Sequence, residues 1–223
     1  MGRLSRGLLI LSTMARLRRM ERSTAPNEIV DFVLKNTAIQ PAQVPAELHQ
    51  FASIVAERNP KAVLEIGSFQ GGTLLVLCRL SHPRATVISV DLPGGLFGGG
   101  YKWFRVPLFK SFVVNGQRLY LLRRDSHKSE TREKVTSILG DQKLDLLFID
   151  GDHSYEGVRA DFNLYSPLVR AGGIVAFHDI VEHRPAMECE VARFWNETKG
   201  PYQQSEIIDN PGQGWGGLGL LYL

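Results

Sequence analysis

Apolar positions three and four apart mark residues 26–35 (PNEIVDFVLK) and 45–58 (PAELHQFASIVAER) as helices, each with a proline at its entry, where the lost N–H costs nothing. Pro60 and Lys61 end that pattern. Ala62-Val63-Leu64-Glu65-Ile66-Gly67 is a short apolar run that stops at glycine, and residues 73–80 (TLLVLCRL) read as a helix beyond a Gly-rich turn. Apolar runs at 85–91, 118–122, 144–150 and 173–179 predict four further strands, with helical patterns at 130–139 and 155–169 among them. Strands that are apolar on both faces and alternate with helices predict a parallel sheet covered on both sides. Residues 215–223 follow their predecessors too closely to need a crossover helix, which predicts a final strand running antiparallel at the edge.

Composition adds limits. The 223 residues are 43% hydrophobic and 22% charged, with a net charge of +3, as in ordinary globular proteins. Cys78 and Cys189 lie far apart and fit no ligand spacing, which argues against a disulfide scaffold or a Cys-type zinc module and for a reducing, cytoplasmic setting. The charge is uneven: residues 1–22 carry six arginines against Glu21 alone, about +5, so the rest is slightly acidic. A slightly acidic body argues against tracking nucleic-acid phosphates. The apolar run Leu8 to Leu11 falls far short of the roughly 20 residues of a membrane span, and the arginines just after it argue against a signal peptide. The segment therefore reads as a basic arm or amphipathic helix that packs on the body or on a second copy in a homo-oligomer. With no repeat, low-complexity tract or long linker, residues 23–223 read as one domain.

The candidate chemistry collects at strand ends. Glu65, Asp91, Asp125, Asp150 and Asp179 each terminate or closely follow a predicted strand, so a parallel sheet brings five carboxylates to one rim, where open α/β sheets bind ligands. Any one of them alone would pass as a turn or capping residue. The loop from Glu65 to Thr73 places Ser68-Phe69 where a dinucleotide fingerprint needs its second glycine, and it lacks a P-loop lysine. Gly67 and Gly71 allow close backbone approach to a ligand without a phosphate chain, and Glu65 is positioned to orient the loop or attract an ammonium group. Asp91 is placed to accept hydrogen bonds from ribose hydroxyls. The residues thus predict a phosphate-free nucleoside site. Asp150, Asp152, His153, His178 and Asp179 form a second constellation at two strand ends. Paired carboxylates suit Mg²⁺, Ca²⁺ or Mn²⁺, and the imidazoles widen the choice toward transition metals. Residues 92–110 begin with a stretch holding five glycines beside Phe97, Tyr101, Trp103 and Phe104, as expected of a lid over the pocket.

Val63-Leu64-Glu65-Ile66-Gly67, Val90-Asp91, Asp125-Ser126-His127 and Phe148 to Gly157 (FIDGDHSYEG) resemble the motifs of class I S-adenosylmethionine-dependent methyltransferases, especially macrocin-type sugar O-methyltransferases and cephalosporin hydroxylase-like proteins. The resemblance runs from about residue 40 to the end. It implies a Rossmann-like, doubly wound, mostly parallel seven-stranded sheet. It further implies S-adenosylmethionine with its methionine part against Gly67, Ser68, Gly71 and Thr73, its ribose on Asp91 and its adenine near Asp125 and Ser126, with Asp150 beside it. By the same resemblance Asp150 and Asp179 hold a divalent metal, Mg²⁺ by expectation, with Asp152 or His178 replacing the Asn that catechol-type enzymes have where this chain has Ile180. His153 stands where those enzymes place a lysine base, with His178 as its rival. The implied reaction is metal-assisted O-methylation of a small hydroxylated acceptor: a sugar, polyketide or phenol. Two other readings stay open: a cofactor-binding relative that transfers no methyl group, such as an oxygenase-like component or partner, and a nicotinamide-dependent dehydrogenase, which lacks the second fingerprint glycine and a proton-relay pair.

Overall fold

The computed structural model describes all residues except 1, 2, 96, 98, 115 and 185–187, and side chains from residue 7 onward. Leu96 and Gly98 of the expected lid lie outside the described residues, as do Met1 and Gly2 of the arm. Helices α1 (Arg3–Arg19), α2 (Pro26–Leu34) and α3 (Pro45–Arg58) precede β1 (Ala62–Ile66), α4 (Gly72–Leu80) and β2 (Thr86–Val90). Then come α5 (Val106–Lys110), β3 (Arg118–Leu122), α6 (Ser129–Leu139), β4 (Leu144–Ile149) and α7 (Tyr155–Tyr165). The chain ends with β5 (Val169–His178), α8 (Val191–Thr198), β6 (Gln203–Ile207) and β7 (Leu218–Tyr222).

Among the described residues the strands form one seven-stranded sheet in the order β3-β2-β1-β4-β5-β7-β6. The chain winds outward from β1 through β2 to β3, then crosses back to set β4 on the other side of β1, in parallel register throughout. Strand order therefore reverses between β1 and β4, and open α/β sheets bind their ligands in the crevice beyond the carboxyl ends at such a point. The pleat sends alternate residues to two cores: Val63, Leu146 and Phe148 pack under α2 to α5, whereas Leu64, Leu147 and Ile149 pack under α6 to α8.

Three details depart from the sequence reading. The helical pattern ending at Val169 stops at Tyr165, and β5 begins at Val169, with a register shift against β4 between Leu144 and Leu146. The polar edge strand β6 (QQSEI) carried no apolar signal, because most of it is exposed. The final strand does run antiparallel, but β6 lies outside it, so β7 sits one place in from the edge.

The basic segment is a helix that packs on its own chain. Leu17 and Thr13 are buried, Thr13 pairs with Asn36, and the Arg79 guanidinium donates to the carbonyls of Leu17 at 3.0 Å and Met20 at 3.4 Å. A cation satisfying the last carbonyls of a helix is favourable both as a hydrogen bond and against the helix dipole. Leu8 and Leu11 face outward. No helix among the described residues is long and apolar enough to cross a membrane.

Candidate functional site

The turn after β1 is built by close approach. Gly67 has φ +87°, and a Cβ there would lie 1.9 Å from the Asp150 carbonyl oxygen, so only glycine lets the loops after β1 and β4 touch. Gly71 also has positive φ, but its missing side chain faces Phe109 and Phe112, so it serves packing and does not line the crevice. Glu65 is fully buried beneath the turn. It accepts a hydrogen bond from the Ser68 hydroxyl, which also lies 2.7 Å from the Ser89 hydroxyl. Burial pushes the Glu65 carboxyl well above the usual range, the Ser68 bond notwithstanding. Of its two expected roles, Glu65 is built for loop orientation; it does not line the cavities.

Two cavities open over this crevice. The first, about 360 Å³, is lined by Gly67, Asp91, Asp125, Ser126, His127 and Asp152 among others. Its size falls in the ordinary range for small-molecule sites. Asp91 Oδ2 accepts from the amides of Phe69 at 3.1 Å and Tyr101 at 3.2 Å, while burial lifts its pKa to about 6 despite those bonds. Asp125 accepts from the His127 amide at 2.9 Å, and the Ser126 carbonyl accepts from the Tyr165 hydroxyl at 2.7 Å. His127 Nε2 lies 3.4 Å from Asp161, a fully buried carboxylate of α7. The Asp161 carboxylate beside it raises the His127 pKa above its ordinary value.

The second cavity, about 290 Å³, is lined by Gln43, Ser68, Thr73, His153, His178, Asp179, His183 and Trp215 among others. Gly67, Phe69, Phe97 and Asp150 border both cavities, so the two form halves of one site. Asp150 Oδ1 lies 3.2 Å from His178 Nδ1 and 3.5 Å from His153 Nε2, and Asp179 Oδ2 lies 3.3 Å from each of the two Nδ1 atoms. Burial alone would lower the His153 pKa. The Asp150 hydrogen bond, the Cys189 contact and the two carboxylate charges outweigh it and lift the value to about 10. His178 is likewise pushed well up, burial being outweighed by Asp150 and Asp179. Burial would raise Asp150 and Asp179, but the facing imidazoles hold both below the usual carboxylate range.

Between two carboxylates His153 is biased toward its protonated form, whereas the base role that the resemblance implies for it needs the neutral ring. Asp152, an expected metal ligand, stands apart from the cluster: it borders the first cavity and accepts from the Ser154 amide at 2.9 Å and hydroxyl at 2.7 Å at the start of α7. Among the described residues, those placed to share an ion are Asp150, His178 and Asp179, or His153, Asp179 and Cys189. The sequence reading missed His183, whose Nε2 donates to Asp179 Oδ1 at 2.9 Å, and Gln43, whose amide donates to Asp150 at 3.2 Å. Neither stands at a strand end, and the only signal was His183 following Asp179 by four residues. Of the lid aromatics, Phe97 stacks on His153 at 5.0 Å and Tyr101 is buried against Phe109, while Trp103 points outward.

Residues 64–180 match the family model described as a methyltransferase domain. Among curated relatives, the uncharacterized protein R132 of Acanthamoeba polyphaga mimivirus is 30% identical over 155 residues, 66% of each chain. The uncharacterized protein y4gI of Sinorhizobium fredii is 26% identical over 129 residues, 56% of this chain and 14% of that one. The chain thus spans just under two thirds of the first relative and a small part of the second. The fold matches the O-methyltransferase TomG of Streptomyces achromogenes in complex with S-adenosylmethionine (TM-score 0.56, 19% identity, 96% of this chain and 89% of that one). It also matches an O-methyltransferase of Bacillus cereus in complex with S-adenosylhomocysteine (TM-score 0.59, 14% identity, 89% and 90%).

Proposed function

The chain belongs to the methyltransferase-domain family, and from that membership we propose that it transfers a methyl group from S-adenosylmethionine to a hydroxyl of a small molecule. The observation that carries this reading is the pair of cavities that share Gly67, Phe69, Phe97 and Asp150. One half offers Asp91, Asp125 and Ser126 and no phosphate-binding lysine; the other offers the acid and histidine cluster. Asp91 takes the ribose hydroxyls, the 125–127 turn borders the adenine, and the Gly67 loop with Ser68 and Thr73 directs the sulfonium toward the second half. The O-methyltransferases of similar fold solved with S-adenosylmethionine or S-adenosylhomocysteine support that choice of cofactor. The dehydrogenase reading does not fit this family.

In the reaction, the acceptor oxygen attacks the methyl carbon as the carbon–sulfur bond breaks, its electron pair leaving on sulfur. Little covalent help is needed; in-line positioning at about 3 Å and removal of the hydroxyl proton are the protein's tasks. The donor set of Asp150, His178 and Asp179 fits a divalent ion, which when bound supplies Lewis-acid polarisation of the acceptor hydroxyl. His153, stacked on Phe97 beside both carboxylates, is the proton acceptor. As the proton acceptor it needs its neutral ring, which the two carboxylates disfavour; a cation held on them would offset that bias. Phe97 and Phe69 supply apolar walls that exclude water from the transfer path.

The test is formation of S-adenosylhomocysteine matched mole for mole by an O-methylated product from a panel of sugars, phenols and hydroxylated polyketides. Methylation confined to nitrogen or sulfur acceptors contradicts the oxygen assignment, and absence of cofactor binding contradicts the whole reading.

A further inference from the structure

The two carboxylates of the second cavity are each held on one oxygen by a hydrogen bond and turn the other toward the imidazoles of His178 and His153. Asp179 Oδ1 is occupied by His183 Nε2 at 2.9 Å and by the Gly216 amide at 3.0 Å, and Asp150 Oδ2 by the Gln43 amide at 3.2 Å. The remaining oxygens, Asp150 Oδ1 and Asp179 Oδ2, converge on His178 Nδ1 at 3.2 and 3.3 Å. His178 is 3% exposed, yet neither of its ring nitrogens makes a hydrogen bond of acceptable geometry. A buried imidazole that meets two carboxylate oxygens at ion-pair distance without an aligned hydrogen bond is poorly satisfied, and a ligand that takes all three atoms accounts for the arrangement. The backbone agrees: Asp179 sits at φ +65°, a conformation that non-glycine residues adopt at a cost and that clusters at functional positions.

The chemistry of the donors selects the ion. Mg²⁺ seeks rigid octahedral oxygen coordination and keeps several waters, whereas imidazole nitrogen suits first-row transition ions. His153 also approaches the two oxygens, 3.5 Å from Asp150 Oδ1 and 3.3 Å from Asp179 Oδ2, but it is the proton acceptor of the proposed reaction, so His178 is the nitrogen donor of this set. We propose that Asp150 Oδ1, Asp179 Oδ2 and His178 Nδ1 hold a first-row transition-metal dication in preference to Mg²⁺, with His183 and Gln43 as the outer groups that orient the carboxylates. This rests on, and revises, the metal part of the function proposed above. Outer partners of this kind fix the orientation of the ligands they touch and are themselves part of the affinity.

The test uses the full chain stripped with chelator and titrated with Co²⁺, read by visible absorption and by calorimetry. Expected are one Co²⁺ per chain with ligand-field bands that survive roughly a hundredfold excess of Mg²⁺, the nitrogen donor setting the preference. His178→Ala removes those bands. His183→Ala weakens Co²⁺ about 10–100-fold, the range for a lost outer partner, and keeps the test decisive should His178→Ala fail to fold. Displacement of Co²⁺ by equimolar Mg²⁺, absence of bands, or bands unaltered in both variants overturns the inference. S-adenosylmethionine binding is measured in parallel. Loss of the metal preference with cofactor binding and turnover intact removes this inference alone, while Co²⁺ binding as stated without any cofactor binding upholds it and removes the methyl-transfer reading.

Discussion

At the scale of single residues, Asp91 is the sharpest handle on cofactor binding. Losing two charge-assisted hydrogen bonds at roughly 1.5–3 kcal/mol each predicts that Asp91→Ala raises the S-adenosylmethionine dissociation constant at least tenfold by calorimetry. Burial gives its carboxyl a pKa of about 6. The ionised form is the better acceptor for ribose hydroxyls, so affinity is flat above pH 6 and weakens as pH falls below it. His153 supplies the opposite sign. Its folded-state pKa of about 10 lies above the ordinary 6.5. Its stabilising contribution to the metal-free fold is therefore complete below pH 6.5 and is lost as pH rises toward 10. The melting temperature of the stripped protein should decline across that window, and His153→Gln should flatten the decline. In turnover with the metal present, His153→Ala should cost about 10²–10⁴-fold, the range for a lost general base.

At the scale of elements, the turn after β1 and helix α1 carry separate predictions. Gly67→Ala sets a Cβ 1.9 Å from the Asp150 carbonyl oxygen at a positive φ, so it should destabilise the fold severely or prevent it, seen as loss of a cooperative melt. Leu17 of α1 is buried in the core under α2 to α5, and Leu17→Ala should cost about 2–5 kcal/mol in denaturant unfolding. Deleting residues 1–22 removes that burial and leaves Arg79 without its carbonyl acceptors, so the truncated chain should melt lower while the residues lining the first cavity remain. Elements with strong periodicity were legible in the sequence: β1, β2, β4, α3 and α4 begin and end within a residue or two of their patterns. Edge strand β6 was not, because an exposed strand has no apolar face to announce it. Helix α8 packs Val191, Phe194 and Trp195 inward, a helical spacing that was present but was not read out of the loop-like segment around it.

At the scale of the whole molecule, Asp91, Asp125, Asp150 and Asp179 border cavities at one rim, because parallel strands all point their carboxyl ends the same way. What linear order could not show is how the rim divides. Asp91, Asp125 and Asp152 border one cavity and Asp179 the other, Asp150 lies between them, and Glu65 sinks beneath both. His183 and Gln43 reach the site from a loop after β5 and from the entry to α3, and only tertiary packing brings them to Asp179 and Asp150. The late glycines act in the same way: the amide of Gly216 holds Asp179 across a turn that carries positive φ at Gly216 and Gly217. The account stands on the first cavity being a phosphate-free nucleoside site joined to the acid and histidine half. Calorimetric titration of the full chain with S-adenosylmethionine, and separately with NAD, tests that most directly. The account predicts one S-adenosylmethionine per chain, weakened at least tenfold by Asp91→Ala, and no heat from NAD; a folded chain that binds NAD, or that binds S-adenosylmethionine equally well without Asp91, would contradict it.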